Sequence, residues 1–182
     1  MKIAVIGRGN VGGGLAQRWR EAGHEVQEIG RDGGDVSGSE AALLAVPSGA
    51  IAEALASVDG LAGIPVVDAT NATRGRPEGF DSLAEYVRSL TGGPVSKAFN
   101  TNFARLYDRL GEARAKPTMV YAADEEAREV TERLIADAGY EPVSAGGLEA
   151  ARAVENFLAV IFAVSRAGTG PFLYRFAPPD EL

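Results

Sequence analysis

Five glycines fall within eight positions near the start of the chain. They occupy the stretch GRGNVGGG at residues 7–14, directly after the apolar run KIAVI. Gly7, Gly9 and Gly12 have the spacing G-x-G-x-x-G, which permits a tight turn, a close approach of backbone to a pyrophosphate, and close packing of a helix on a strand. The amino terminus of the helix that follows offers free N–H groups to an anion. The stretch therefore predicts a dinucleotide site, the alternative being a tight turn without a ligand.

Two further glycines, Gly13 and Gly14, lie outside this spacing. Each costs a helix interior about 1 kcal/mol relative to alanine. We therefore expect something to press closely on the first helical turn, either the ligand or a neighbouring strand.

The corner after the second predicted strand indicates which dinucleotide is bound. It contains Gly30, Arg31 and Asp32, whereas an NAD site usually has an acidic side chain about 20 residues after the glycines. Arg31 could pair with a 2′-phosphate in bidentate geometry, and Arg8 could reach the same group. We expect NADP. Asp32 keeps NAD as an alternative, and Arg31 as a solvated turn residue is another.

Three later strand ends, AVPSG (45–49), DATNAT (68–73) and KAFNT (97–101), should converge where the nicotinamide lies. Ligands of open α/β sheets bind beyond the carboxyl ends of the strands. The residues expected at the nicotinamide half of the cofactor are Val46, Pro47, Ala69 and Asn71. Asn100 and Thr101 offer neutral hydrogen bonds to a carboxamide or to a second substrate.

Lys97 is the one obvious proton donor in this predicted cluster. It is a weak catalytic candidate, because a lysine that reaches along the sheet to solvent or to the carboxyl end of a helix would have the same sequence pattern. His24 lies between the first helix and the second strand, so we expect a structural role for it.

Short apolar runs alternate with amphipathic runs along the chain, which predicts a mostly parallel sheet covered on both faces. The predicted strands are 2–7, 24–30, 42–47, 65–70, 94–100, 118–123 and 141–145, and the predicted helices are 11–22, 49–57, 81–90, 125–138 and 148–166. The expected fold is a doubly wound, Rossmann-like α/β sheet in a single domain over residues 1–182. Only about ten residues separate Arg31 from the next strand, so one helix and one strand of the usual nucleotide-binding half are missing. We expect the second strand at the sheet edge and a thin wall around the adenosine.

Composition excludes several classes of function. The chain has 182 residues, a formal charge of -7, no cysteine and one histidine. This argues against nucleic acid or an anionic membrane as the main partner, and it rules out disulfides and cysteine-bound metals. No metal site is expected. The amino terminus enters a strand at its second residue, so we expect a cytoplasmic protein.

The segments GRGNVGGGLA, LLAVP, VVDATN, KAFNT, AADEEA and GTGPF together resemble the NADPH-dependent reductases of the deazaflavin coenzyme F-420, whose relatives include the nucleotide domain of the STEAP metalloreductases. The resemblance covers nearly the whole chain. It implies NADP bound at residues 7–12, which include Asn10 and Val11, with the phosphate near Arg8 and Arg31. It also implies hydride exchange with a flavin-type ring, often in a dimer.

The leading hypothesis is therefore an NADPH-dependent oxidoreductase whose second substrate is a flavin or deazaflavin, and we expect it to be a homodimer. The apolar helix and tail over 148–182 are expected to form the acceptor site or the dimer contact. Two alternatives stay open: a dinucleotide-binding module without turnover, and a small imine or carbonyl reductase whose pocket is completed by dimerisation, with Lys97 as its acid.

Overall fold

A seven-stranded sheet runs through the protein, and a separate pair of very short strands lies beside it. The computed structural model describes residues 1–73 and 75–181. The strands are β1 (Lys2–Ile6), β2 (Glu25–Ile29), β3 (Gly34–Asp35), β4 (Ala41–Leu44), β5 (Val58–Asp59), β6 (Val66–Asp68), β7 (Val95–Lys97), β8 (Thr118–Ala123) and β9 (Glu141–Ser144). The α-helices are α1 (Asn10–Glu21), α2 (Ile51–Ala56), α3 (Leu83–Thr91), α4 (Glu125–Asp137) and α5 (Ala151–Val164).

The large sheet has the strand order β2-β1-β4-β6-β7-β8-β9. Neighbouring strands are parallel except for β7 and β8, which are antiparallel. The predicted α/β class, with its doubly wound and mostly parallel sheet, is confirmed. The chain reverses direction across the sheet between β1 and β4, and β2 is an edge strand as expected.

Both faces of the sheet are buried, and the alternation along β1 shows how. Ile3 and Val5 belong to a core that includes residues of α1 and α4. Ala4 and Ile6 belong to a second core that includes residues of α2, α3 and α5. Because successive side chains of a strand point to opposite faces, a continuous apolar run supplies both cores at once.

The shortened segment after β2 is tied down by strand pairing that the sequence pattern did not predict. β3 pairs in parallel with β5, directly after α2. The amide of Gly34 donates to the Ser57 carbonyl at 3.2 Å, and the amide of Val36 donates to the Asp59 carbonyl at 2.9 Å. This two-stranded sheet fixes the segment against the carboxyl end of α2.

The predicted helix over 148–166 is divided into three parts. A 3₁₀ turn at Leu148–Ala150 leads into α5, and a π-helical turn at Ser165–Thr169 follows it. Further 3₁₀ segments lie at Ser48–Ala50, Ala104–Glu112 and Pro179–Glu181. Within the described ranges, no helix is both long and apolar enough to cross a membrane.

Candidate functional site

The glycine-rich turn connects β1 to α1 and presents an uncapped helix terminus. Gly7 has φ of +109°, and its amide donates to the Ile29 carbonyl at 3.0 Å. A Cβ on Gly12 would collide with the Gly7 carbonyl, so this glycine permits the close packing that its position predicts. Gly9 is the N-cap of α1 without a side-chain cap, and a Cβ placed on it would point into open space. The first turn of α1 has no acidic residue, so its free N–H groups favour an anion.

A cavity of about 650 Å³ opens at this turn, at the point where the strand order reverses. This is where nucleotides bind in open α/β sheets, and the volume is in the usual range for ligand sites. The lining residues are Ile6, Gly7, Arg8, Gly9, Gly30, Arg31, Ala45, Val46, Pro47, Ala50, Glu53, Ala54 and Ser57.

Arg8 lies across Gly30 at the end of β2. Its guanidinium donates to the Glu28 carbonyl at 3.0 Å. A Cβ on Gly30 would lie 3.1 Å from the guanidinium carbon of Arg8. Gly30 therefore leaves room for the arginine where many nucleotide sites carry an acidic side chain.

Two opposite charges line the cavity without pairing. Arg31 lies beside Gly30, and Glu53 lies on α2. Neither side chain makes a hydrogen bond or an ion pair with the side chains and backbone that the structure describes. Both are exposed, and both are therefore available to a ligand. Asp32 is exposed but does not line the cavity.

One face of α2 and its flanking turns forms a wall that we did not predict. Ala50, Glu53, Ala54 and Ser57 recur at the i, i+3, i+4, i+7 spacing of a helical face, and all four line the cavity. This spacing of small and polar residues after β4 is a signal that the sequence contains. The spacing can be interpreted as part of a binding site only when the structure shows that α2 lines the cavity, beside the shortened segment after β2.

Of the two extra glycines, Gly13 and Gly14, only Gly14 has a close neighbour. A Cβ on Gly14 would lie 2.5 Å from Cδ2 of Tyr107, a buried residue of the 3₁₀ segment Ala104–Glu112. A Cβ on Gly13 would meet only the Arg8 carbonyl oxygen, at 3.8 Å. The close approach expected at this turn is therefore made by an aromatic ring of a 3₁₀ helix instead of a strand.

Other predicted cofactor residues lie around the cavity without lining it. Asn10 is exposed and begins α1, while Val11 is partly buried against one core. Ala69 is buried in the same core at the carboxyl end of β6. Val46 and Pro47 therefore line the cavity together with the glycine-rich turn, whereas Asn10, Val11 and Ala69 do not line it.

Asn71 and Asn100 come together beyond the ends of β6 and β7. Nδ2 of Asn71 donates to the Asn100 carbonyl at 3.1 Å, and Nδ2 of Asn100 donates to Oδ1 of Asn71 at 3.3 Å. Oδ1 of Asn100 is buried without a hydrogen-bond partner in the described parts of the chain. Thr101 instead shares a hydrogen bond of 2.7 Å with the Tyr174 hydroxyl. Burial raises the pKa of Tyr174, and the bond to Thr101 opposes that rise.

The backbone of the KAFNT segment is strained at its centre. Phe99 has φ of +60°, in the left-handed region that costs a non-glycine residue about 1–2 kcal/mol. Its ring packs edge-on against Trp19 at 5.8 Å, and its amide donates to Sδ of Met119 at 3.2 Å. The turn at Phe99 carries the chain from β7 to Asn100 and Thr101. Strain of this kind is often found at functional sites.

Lys97 lies inside a group of four charged side chains, which we call the charge quartet: Asp68, Arg76, Lys97 and Glu155. Nζ of Lys97 is 2.8 Å from Asp68 and 3.3 Å from Glu155, and it donates to the Thr70 carbonyl at 2.6 Å. Glu155 also pairs with Arg76 at 2.8 Å. Lys97 is fully buried and does not line the cavity. The geometry therefore supports a structural ion pair more directly than proton transfer.

The tail after α5 packs its aromatic rings near the carboxyl end of β7. Phe172 lies 5.9 Å from Phe103, and Tyr174 lies 5.5 Å from Phe157. The Tyr174 carbonyl accepts from the Thr118 amide at 2.8 Å, which fixes the tail at the start of β8. Because β8 runs antiparallel to β7, its start lies beyond the carboxyl end of β7.

No protein-family model and no curated protein match the sequence. Solved structures do. A provisionally assigned F420-dependent NADP-reductase from Arthrobacter sp. FB24 is 26% identical, covers 98% of this chain and all of its own, and superposes with a TM-score of 0.81. A hypothetical protein from Sinorhizobium meliloti is also 26% identical, over 82% of this chain and 87% of its own, with a TM-score of 0.62.

A reductive aminase from Aspergillus terreus, solved with NADPH and ethyl levulinate, has a TM-score of 0.69 at 16% identity. The match covers 92% of this chain and 63% of the aminase, and at this low identity it shows the fold alone. The fold is Rossmann-like α/β. The resemblance stated from the sequence is confirmed, because the structural neighbours include an F420-dependent NADP-reductase of provisional assignment and a reductive aminase solved in complex with NADPH.

Proposed function

We propose that this protein is an NADPH-dependent oxidoreductase that passes hydride between the nicotinamide and a flavin or deazaflavin. The observation that carries the proposal is the cavity at the reversal of strand order. There an uncapped helix terminus at Gly9 lies beside two arginines, Arg8 and Arg31. Uncapped N–H groups suit a pyrophosphate, and guanidinium groups suit a 2′-phosphate.

Each part of the chain has a distinct task in this proposal. The first turn of α1 binds the pyrophosphate through backbone N–H groups, and Gly9 leaves space for it. Arg8 and Arg31 hold the 2′-phosphate. Val46 and Pro47 pack against the nicotinamide side, and Asn71 and Asn100 present amides toward the carboxamide. NADPH supplies the hydride when it is bound, and the protein supplies orientation.

The choice of acceptor rests on two observations. The Arthrobacter protein, a provisionally assigned F420-dependent NADP-reductase, matches 98% of this chain. The aromatic tail lies near the strand ends where the nicotinamide would lie, with Phe103 and Phe172 in contact. Transfer between two stacked rings depends mainly on positioning, so it does not require a dedicated histidine.

The test measures binding before turnover. We expect wild-type protein to bind NADPH more tightly than NADH. Arg31→Ala should lose about tenfold or more in NADPH affinity, because a charge-assisted contact to the phosphate is removed. The control is Arg133→Ala, which removes an exposed arginine of α4 that lies outside the cavity. An unchanged NADPH/NADH ratio in Arg31→Ala would refute the role of Arg31.

Oxidation of NADPH is then followed with FMN, FAD, riboflavin and the deazaflavin, each offered alone. Turnover with one ring acceptor would support the proposal. Tight NADPH binding without oxidation by any of the four would contradict ring-to-ring transfer and favour a binding module. Turnover with cyclic imines alone would favour the imine reductase. A cytoplasmic homodimer remains part of the proposal.

A further inference from the structure

The wall formed by α2 carries one charged side chain, Glu53. Its carboxylate can bind a ligand group that donates a hydrogen bond. Ala50 and Ala54 flank it on the same helical face and line the cavity too, and their side chains are methyl groups without a polar atom. The Ser57 hydroxyl already donates to the Ala54 carbonyl at 2.9 Å. Glu53 is thus the polar side chain of this wall that makes no hydrogen bond or ion pair with the described residues.

The arrangement of charge divides the cavity into two regions. Arg8 and Arg31 make the region near Gly30 positive, whereas Glu53 makes the α2 wall negative. Arg31 and Glu53 line one cavity, yet they form no ion pair with each other or with any other described side chain. A ligand that satisfies both must carry an anion at one end and a donor at the other.

The adenosine half of NADP has this polarity. Its 2′-phosphate is anionic, and its outward-facing donors are the 6-amino group of adenine and the 3′-hydroxyl of the ribose. The flat purine fits the methyl surface of Ala50 and Ala54. An ionised carboxylate is an acceptor only, so it can bind the amino group but would repel a carbonyl oxygen in the same place.

We infer that Glu53 selects the base of the cofactor by accepting a hydrogen bond from the 6-amino group of adenine. This inference rests on the proposed function, since it takes NADP as the ligand. It assigns a specificity role to a residue outside the glycine-rich turn and outside the arginine pair. The shortened segment after β2 explains why α2 carries the role, because α2 is the wall left beside the base.

The experiment compares NADPH with its hypoxanthine analogue, in which the 6-amino group is replaced by a carbonyl oxygen. Dissociation constants are measured by calorimetry. We expect wild-type protein to prefer NADPH by about tenfold to a hundredfold, the usual effect of a hydrogen bond to a charged group. Glu53→Gln should bring the ratio close to one, because an amide accepts from the amino group and also donates to the carbonyl.

The matched control is Glu129→Gln, which changes an exposed carboxylate of α4 outside the cavity and should keep the wild-type ratio. Thermal unfolding should be the same in both variants, since both side chains are exposed. If wild-type protein binds both cofactors equally tightly, or if Glu53→Gln keeps the full preference, the inference is wrong while the proposed function stands. If wild-type protein binds neither cofactor, the proposed function fails and the inference fails with it.

Discussion

Gly13 and Gly14 are adjacent in α1, but only one of them has a close neighbour. Gly13→Ala should raise the free energy of unfolding by about 1 kcal/mol, because alanine is the better helix former and its methyl group meets ordinary contacts. Gly14→Ala should lower the free energy of unfolding by about 1–3 kcal/mol, because the methyl group would press into the buried ring of Tyr107.

Equilibrium denaturation by urea measures both glycine variants, and each serves as the control for the other. If Gly14→Ala raised the free energy of unfolding, the Tyr107 ring would have moved aside without a measurable cost, and the prediction would be wrong. Loss of NADPH binding in Gly13→Ala at unchanged stability would place the ligand, not the ring, against this turn.

Lys97 also owes its properties to its surroundings. Lys97→Met should cost about 3–5 kcal/mol of the free energy of unfolding, because it leaves Asp68 and Glu155 buried with less compensation. The control is Lys116→Met at an exposed position, where we expect a change within about 0.5 kcal/mol. Chemical denaturation supplies both values. Full stability in Lys97→Met combined with loss of turnover would instead restore a catalytic role for this lysine.

At the scale of single residues, the sequence predicts which residues belong to the site better than it predicts the partners that they contact. The spacing of Gly7 and Gly12 predicted the turn, because the close approach of Gly12 to the Gly7 carbonyl lies within the turn itself. The other members of the charge quartet come from three separate elements: β6, the loop that precedes α3, and helix α5. No local sequence pattern could therefore predict the charge quartet. Glu53 was missed for a similar reason, since its spacing resembles that of any short helix.

At the scale of elements, α2 is the feature that distinguishes this nucleotide site. Ala54→Phe should weaken the binding of 2′,5′-ADP, a probe of the adenosine half, by about tenfold or more, because the ring would occupy space beside the base. Ala52→Phe is the control, since Ala52 is exposed on the same helix and does not line the cavity. Calorimetry with the probe distinguishes them. Equal losses in both variants would mean that α2 acts only through its stability.

The boundaries of elements follow from the same balance of local and distant effects. The amphipathic pattern predicted α4 over 125–138, and the helix spans Glu125–Asp137. The helix predicted over 49–57 begins instead as a 3₁₀ turn after Pro47, and α2 is only six residues long. β3 and β5 have two residues each, and a pair that short has no periodicity to detect.

At the scale of the whole molecule, the carboxyl end of α5 carries an apolar surface. Val160 is 53% exposed, and Val164 is 40% exposed. We expect a homodimer through this surface, with a solution mass twice the chain mass of 18.9 kDa. Val160→Glu should give the mass of a single chain in sedimentation equilibrium, because a charge would be buried at the contact. Leu90→Glu, at an exposed apolar residue of α3, should leave the mass unchanged. A wild-type protein that sediments as one chain would refute the dimer.

The global fold was predictable because its dominant signal is repeated along the chain. Apolar strands alternate with amphipathic helices, and each repeat supports the same doubly wound arrangement. The antiparallel pairing of β7 and β8 was not predicted. Strand direction depends on the path of residues 98–117, and that path contains a 3₁₀ segment in place of a regular crossover helix.

In the described parts of the chain no strand pairs with the outer side of β2, and this has a consequence for the behaviour of the protein at high concentration. An exposed edge strand is a template on which other chains can pair and aggregate. Here Arg20 donates to the Val26 carbonyl at 3.1 Å, and Arg8 donates to the Glu28 carbonyl at 3.0 Å. Two guanidinium groups thus occupy acceptors that an incoming strand would need, and Glu25 and Glu28 add charge along the same edge. The arginine proposed to hold the cofactor phosphate thus also occupies a backbone acceptor at the edge where strand pairing between molecules would begin.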